Sequence, residues 1–172
     1  MFEFFIGFWQ VLKSTWQIWS LIFGLGLFII LVEYLFKWIE KWLDKRWFEK
    51  HKTLEEWKKL DHKKFEQITA IIFEKLGYKT KLIGGAGDRG IDIIVTKGGK
   101  RTFIQCKRMD RVIPDDVRAF WGSIVNRINK GAGKKGFFVT TGSFTEESRE
   151  FINDKPIELI DGLALEKLTN QF

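Results

Sequence analysis

A single cysteine, Cys106, stands in a chain of 172 residues. One thiol cannot build an internal disulfide framework or a Cys-rich zinc site, and its isolation fits a reducing compartment. Histidine is almost as scarce. His51 and His62 are the only two, and they fall in a charged stretch without the spacing of metal ligands. There is no internal repeat and no Pro/Ser-rich low-complexity run. Charge is missing altogether from Ser14 to Val32.

That uncharged run, apolar through Phe36, is long enough to cross a membrane, because about 20 apolar residues span a hydrocarbon core at 1.5 Å per residue. Trp16 and Trp19 stand near one end, and Tyr34, Trp38 and Trp42 near the other, where aromatic belts belong. Glu33 lies one turn inside the far end, within reach of Lys37. A buried helix of a soluble core is the alternative, but a small domain rarely buries so long an uncharged run. A cleaved signal peptide does not fit, since the first ten residues carry Glu3 and no Lys or Arg, and no small-residue cleavage site follows. Lys13 is the only basic residue before the span, whereas Lys37, Lys41, Lys45, Arg46, Lys50 and Lys52 follow it. The positive-inside rule then puts the N-terminus outside and everything after the span in the cytoplasm. Phe2, Phe5, Trp9 and Leu12 recur at helical spacing, so residues 1–13 form either an interfacial amphipathic segment or an extension of a tilted span.

The chain carries seven more basic than acidic charges at neutral pH. The excess lies after the span, which favours anionic partners, either nucleic acid or lipid headgroups. Residues 37–60 read as a basic amphipathic linker helix, with Trp38, Ile39, Trp42, Leu43, Trp47 and Phe48 interleaved with charge. Its lysines suit anionic lipid, and its expected role is that of a positioning arm. Thr53 and Glu56 form a capping-box pattern that restarts a helix.

Residues 61–172 read as a globular domain. Phe65, Ile68, Ile72 and Leu76 share one helical face, and Gly77 ends that helix. Strands are expected over Tyr78–Ile83, Ile91–Thr96 and Arg101–Lys107. A Gly-rich loop over residues 84–90 separates the first two, and a Gly98-Gly99 hairpin joins the last two. Pro114-Asp115-Asp116 opens a helix with Val117, Phe120, Trp121, Ile124 and Ile128 on its apolar face. Phe137–Thr141 and Ile157–Ile160 are further strands, a helix begins at Thr145, and another covers Leu163–Leu168. The order α-β-β-β-α-β-α-β-α, with one antiparallel hairpin followed by helical crossovers, implies an α/β fold. Its mixed sheet is flanked by helices on both faces.

Strand alternation points Gln105 and Lys107 to one face, and Ile104 and Cys106 to the other. A polar pair on a central strand needs a partner, and Asp92 can supply it from across the hairpin. The register is left open, and Asp92 and Gln105 meet either diagonally or across a bulge. Glu66 adds a second carboxylate if its helix packs over this sheet edge. Carboxylate and amide oxygens are hard ligands suited to Mg²⁺, and a lysine beside them can stabilise charge on a phosphodiester. The same residues also suit a purely structural Asp–Lys pair. Cys106, facing away, reads as a buried core thiol.

Phe65-Glu66, Leu76-Gly77-Tyr78, Gly87-Asp88-Arg89-Gly90-Ile91-Asp92 and Gln105-Cys106-Lys107-Arg108 resemble, in order, the signatures of the Mrr-type restriction endonuclease domain of the PD-(D/E)xK nuclease superfamily. Residues 136–141, Phe144-Thr145 and Leu159–Leu163 resemble its downstream pattern. The resemblance implies a restriction-endonuclease-like α-β-β-β-α-β core. It makes Asp92 the metal-binding acid, places Gln105 at the Glu-or-Gln position and Lys107 at the catalytic lysine, and matches Glu66 to the helical acid. Metal ligands would then be Asp92, Gln105 and Glu66, with Mg²⁺ as cofactor and Mn²⁺ as substitute. Ile91 stands where the superfamily has proline. A neutral Gln105 implies weaker metal affinity than a glutamate would give. Arg89, Arg108, Lys134 and Lys135 are candidate phosphate contacts on double-stranded DNA.

The expectation is a transmembrane helix over residues 14–36 that tethers an Mg²⁺-dependent endodeoxyribonuclease of type IV restriction character. Its partners would be DNA, membrane lipid and a second copy, since double-strand cleavage needs two sites or two events. A non-cleaving DNA-binding or interaction module with the same fold is the alternative, against which intact Glu66, Asp92 and Lys107 weigh.

Overall fold

The computed structural model describes residues 2–83 and 90–171. The chain divides into two compact units, Met1–Leu43 and Asp44–Phe172. Helix α1 covers Phe2–Lys50 without a break at Ser14, so the apolar N-terminal segment prolongs the helix. In the first unit Trp16, Trp19, Phe23, Phe28 and Leu31 are all exposed. Ile18–Lys50 contains a window long and apolar enough to cross a membrane, and none of it is buried in the protein. The run is therefore not a core helix of this chain. Lys37 Nζ donates to Glu33 Oε1 at 2.6 Å.

The second unit begins 17 residues earlier than the globular domain read from sequence, because the linker supplies part of its core. Phe48, near the end of α1, and Trp57 are fully buried. Lys64 pairs with Asp44 and Lys75 with Glu49, and Lys45 reaches Glu74 at 3.1 Å. Helix α2 (Leu54–Trp57) is opened by Thr53, whose amide and hydroxyl both donate to the Glu56 carboxylate, at 3.3 and 2.7 Å. The Trp57 indole N–H donates to His51 O at 2.9 Å.

Helix α3 (His62–Lys75) is capped by Asp61, whose side chain accepts from Lys64 N at 2.7 Å. Strands β1 (Lys79–Leu82), β2 (Ile93–Lys97) and β3 (Lys100–Lys107) follow as an antiparallel meander. The β2–β3 turn puts Gly98 and Gly99 at φ 57° and 74°, the left-handed pair that a two-residue hairpin needs. After β4 (Arg111–Val112), helix α4 (Pro114–Asn129) crosses over to β5 (Lys135–Thr140), which is parallel to β3. Strand β6 (Ser143–Phe144), helix α5 (Glu146–Phe151), strand β7 (Ile157–Ile160) and helix α6 (Gly162–Thr169) complete the chain. The five-stranded sheet runs β1-β2-β3-β5-β7, and β4 and β6 form a separate two-residue pair absent from the sequence reading. The mixed sheet with helices on both faces is the fold expected, and its five strands end within two residues of their predicted bounds.

Two apolar clusters flank the sheet. One holds Phe48, Trp57, Phe65, Ile68, Ile72, Ile93, Val95, Ile104 and Leu165, with Cys106 packed against it. The other holds Ile91, Phe103, Val117, Phe120, Ile124 and Phe138. Cys106 thus faces α3, as alternation requires. Burial pushes its thiol pKa well up, and the nearby charges of Asp92 and then Glu66 add to the shift.

Two outcomes follow from this packing. Trp57→Ala should cost about 3–5 kcal/mol, the usual loss for a buried aromatic, and a soluble fragment starting at Thr53 should be less stable than one starting at Asp44 because it lacks Phe48. Equal urea midpoints for the two fragments would contradict the linker's place in the core. As pH rises past the ordinary thiol range near about 8.5, the unfolded chain loses the Cys106 proton while the folded chain keeps it. Stability should then fall with pH. Cys106→Ala should flatten that alkaline fall in melting temperature; an unchanged slope would speak against the buried thiol.

Candidate active site

The site is built where β2 and β3 part. Asp92, one residue before β2, donates its amide to Ile104 O at 2.9 Å and accepts from Ile83 N at 2.8 Å. Ile93 is also the register partner of Ile104. Asp92 and Ile93 therefore both face one residue of β3, the two-against-one count of a β-bulge, so of the two meetings left open by the sequence it is the bulge that occurs. Beyond the bulge, Cys106 N donates to Asp92 Oδ2 at 2.6 Å. The carboxylate takes the place of the next rung of the ladder, in the plane of the sheet and at its open end.

Gln105 and Lys107 lie on the face toward α4. The Gln105 amide rests against Gly90, where a Cβ would meet its Nε2 at 3.2 Å and the Ser123 hydroxyl of α4 at 3.8 Å. Gly90 has φ +76°, so both conformation and space favour glycine there. Gln105 Oε1 is buried and has no hydrogen-bond partner. Leaving such an oxygen unpaired costs about 1–3 kcal/mol, a debt that a cation or its water would relieve. Lys107 forms an ion pair with Asp116 of α4.

Glu66 approaches from the other side. It lies on α3, half-buried, and its charge is the smallest of the influences that raise the pKa of the Cys106 thiol. Asp92 is bonded to the Cys106 amide, Glu66 is carried by α3, and Gln105 and Lys107 lie against Gly90 and Asp116. Two carboxylates and one orphaned amide oxygen are hard donors of the kind Mg²⁺ takes, so these residues fit such an ion. Among the described residues no three His, Cys, Asp or Glu side chains cluster as a metal site. That agrees with a set whose third member is a glutamine.

The four residues named as phosphate contacts are not gathered here. Arg89 and the neighbouring Asp88 lie outside the described residues. Arg108 turns to the linker, its Nη1 donating to Lys58 O at 2.8 Å, and its Nε is buried without a partner. Lys134 is exposed, and Lys135 pairs with Glu158. Lys135 is in register with Thr102, so both lysines lie at the opposite end of the sheet. That is roughly 17 Å along the strand from Lys107, at about 3.3 Å per residue. Sequence reasoning read Asp116 only as part of a helix start and not as the partner of Lys107. The available signal was that α4 opens soon after Lys107 with two adjacent acids, of which a helix N-terminus needs one.

Residues 57–169 match the family model Mrr_cat, described as restriction endonuclease. The type IV methyl-directed restriction enzyme EcoKMrr of Escherichia coli strain K12 is 30% identical over 112 residues, covering 59% of this chain and 36% of that enzyme. The chain thus spans about a third of the length of that relative. Among solved structures, the crystal structure of AF1548, a protein of unknown function, superposes with a TM-score of 0.52 at 17% identity, over 62% of this chain and 65% of that one. The MspJI restriction endonuclease in complex with a 27-mer oligonucleotide gives 0.49 at 25% identity, over 67% and 29%. With the family model spanning most of the chain, and over the same residues that form the sheet and its bulged Asp92 corner, this protein belongs to the Mrr-type restriction endonuclease family.

Proposed function

We propose that this chain is a membrane-anchored, Mg²⁺-dependent endodeoxyribonuclease that hydrolyses phosphodiester bonds of foreign or modified DNA. The observation that carries the reading is the corner itself: an in-plane Asp92 carboxylate, a buried Gln105 oxygen without a partner, and Lys107 two residues along the same strand face. Restriction endonuclease domains of this superfamily generally use divalent metal ions.

Asp92 and Gln105 would hold the ion, with Glu66 completing the set directly or through water. When bound, Mg²⁺ would polarise the scissile phosphate and make the attacking water more acidic. Asp92 is well placed for this, because its Oδ2 is fixed by the Cys106 amide. Lys107 would set its ammonium against the phosphate oxygens as negative charge builds on them, and it does not ligate the ion. The basic excess of the chain favours a polyanion, and DNA affinity should fall steeply with salt.

The anchor rests on the exposed apolar window within Ile18–Lys50 and on the basic residues that follow residue 36. Together they favour an N-terminus outside and a cytoplasmic nuclease. DNA entering through the envelope would meet such an enzyme early.

The test is nicking of supercoiled plasmid, methylated and unmethylated, by full-length protein in detergent with Mg²⁺ or Mn²⁺. Lys107→Ala should lose at least about 100-fold in rate, on the scale of removing a charge-stabilising donor, and keep metal binding by calorimetry. Asp92→Ala should lose both. Undiminished cutting by Lys107→Ala would refute the mechanism. Full-length protein should also stay in the membrane pellet through carbonate washing; its release would refute the anchor.

A further inference from the structure

Asp115 and Asp116 are neighbours in the first turn of α4, yet the structure treats them differently. Asp115 is 80% exposed and pairs with Arg118, itself 56% exposed, one turn along the same helix. That is the ordinary solvated pair, worth at most about 1 kcal/mol. The Asp116 side chain is only 16% exposed, and both of its oxygens are engaged. Oδ2 accepts from the Ile113 amide at 3.3 Å, and Oδ1 accepts from Lys107.

The Ile113 bond closes the helix start, and Val117, Phe120 and Ile124 of the same helix are fully buried. The carboxylate is therefore set on a rigid element by a bond that leaves its other oxygen to Lys107. Lys107 is the last residue of β3. A lysine there has four rotatable carbons and about 2 kcal/mol of rotamer entropy, so nothing in the strand alone fixes its ammonium. A divalent cation at Asp92 and Gln105 would moreover repel it. An anchored carboxylate on the α4 side counters both effects.

We infer that Asp116 is the positioning residue for Lys107: its carboxylate holds the ammonium on the Gln105 face and offsets its repulsion from a bound cation. The inference rests on Lys107 being catalytic. It predicts that a substitution on α4, outside the metal ligands, slows the chemical step while leaving DNA and metal binding in place.

Asp116→Asn is the decisive variant, because its amide oxygen can still accept from the Ile113 amide and preserve the helix start. Full-length protein in detergent is compared by single-turnover cleavage of plasmid, by duplex-DNA affinity in Ca²⁺, and by Mg²⁺ calorimetry. Asp116→Asn should cleave about 10- to 100-fold more slowly, as expected for a lost supporting contact, with DNA and Mg²⁺ affinities within about 2-fold of the parent. Asp116→Glu should recover most of the rate, which a purely structural cap would not require. Wild-type cleavage by Asp116→Asn, or loss of Mg²⁺ binding as in Asp92→Ala, would overturn the assignment. Lys107→Ala separates the two readings. If it still cuts, the catalytic reading fails; if it is dead while Asp116→Asn is fully active, only the positioning role fails. A measurement on the unaltered protein guards against a variant that does not fold. The Lys107 ammonium nitrogen should show scalar coupling to the Asp116 carboxylate carbon by NMR, and absence of that coupling would also overturn the assignment.

Discussion

The Cys106 amide donates to a carboxylate where a strand would ordinarily offer it a carbonyl. The bulge at Asp92 and Ile93 makes this possible, because one extra residue shifts β2 out of step with β3. The position of the Asp92 carboxylate depends on that shift. It brings an ionisable oxygen into the plane of the sheet at its open end. Gln105 and Lys107 remain on the α4 face, and Glu66 can approach from the α3 side. A flush ladder would instead have set Asp92 directly opposite Gln105, on the α4 face.

The corner is supported on both sides by packing. On the α3 side, Ile93, Ile104 and Cys106 lie on a cluster that extends to Phe48 and Trp57. The segment following α1 is also tied to the rest of the domain by polar bonds: Arg108, just past β3, donates to Lys58 O, and the Leu54 amide donates to Glu166 of α6. Residues from Asp44 onward are thus part of the fold that holds the strand carrying Lys107. On the α4 side, Gly142 lets the chain after β5 press against Asp110, where a Cβ would stand 2.1 Å from the Asp110 oxygen. The Thr140 hydroxyl also bonds Met109 O at 3.3 Å. The turn that carries the chain from Lys107 to α4 is therefore pinned, and with it the start of the helix.

Much of this was legible from residue patterns, for identifiable reasons. Alternation along β3 separated Gln105 and Lys107 from Cys106 because a central strand has two distinct faces. Gly98-Gly99 gave the hairpin because a two-residue turn needs positive φ. The Thr53–Glu56 box gave α2. A bulge was one of two registers left open, since a one-residue shift in a β-branched run leaves hydropathy unchanged. The linker looked like a free amphipathic arm because periodicity shows that a face is apolar, not what covers it; Phe48 is covered by its own domain. That the Arg108 guanidinium bonds the Lys58 carbonyl is not visible in composition. Asp116 was read only as part of a helix start because a helix's first turn attracts acids for its own sake.

The account turns on whether the Asp92 corner holds a cation between its two kinds of oxygen. The direct measurement is anomalous diffraction at the manganese edge from crystals of the protein grown with Mn²⁺. The account predicts one peak in inner-sphere contact, roughly 2.1 Å as for a small hard cation, with both the Asp92 carboxylate and Gln105 Oε1. A peak that leaves Gln105 Oε1 uncoordinated, or no peak at a Mn²⁺ concentration that supports cleavage, would contradict it.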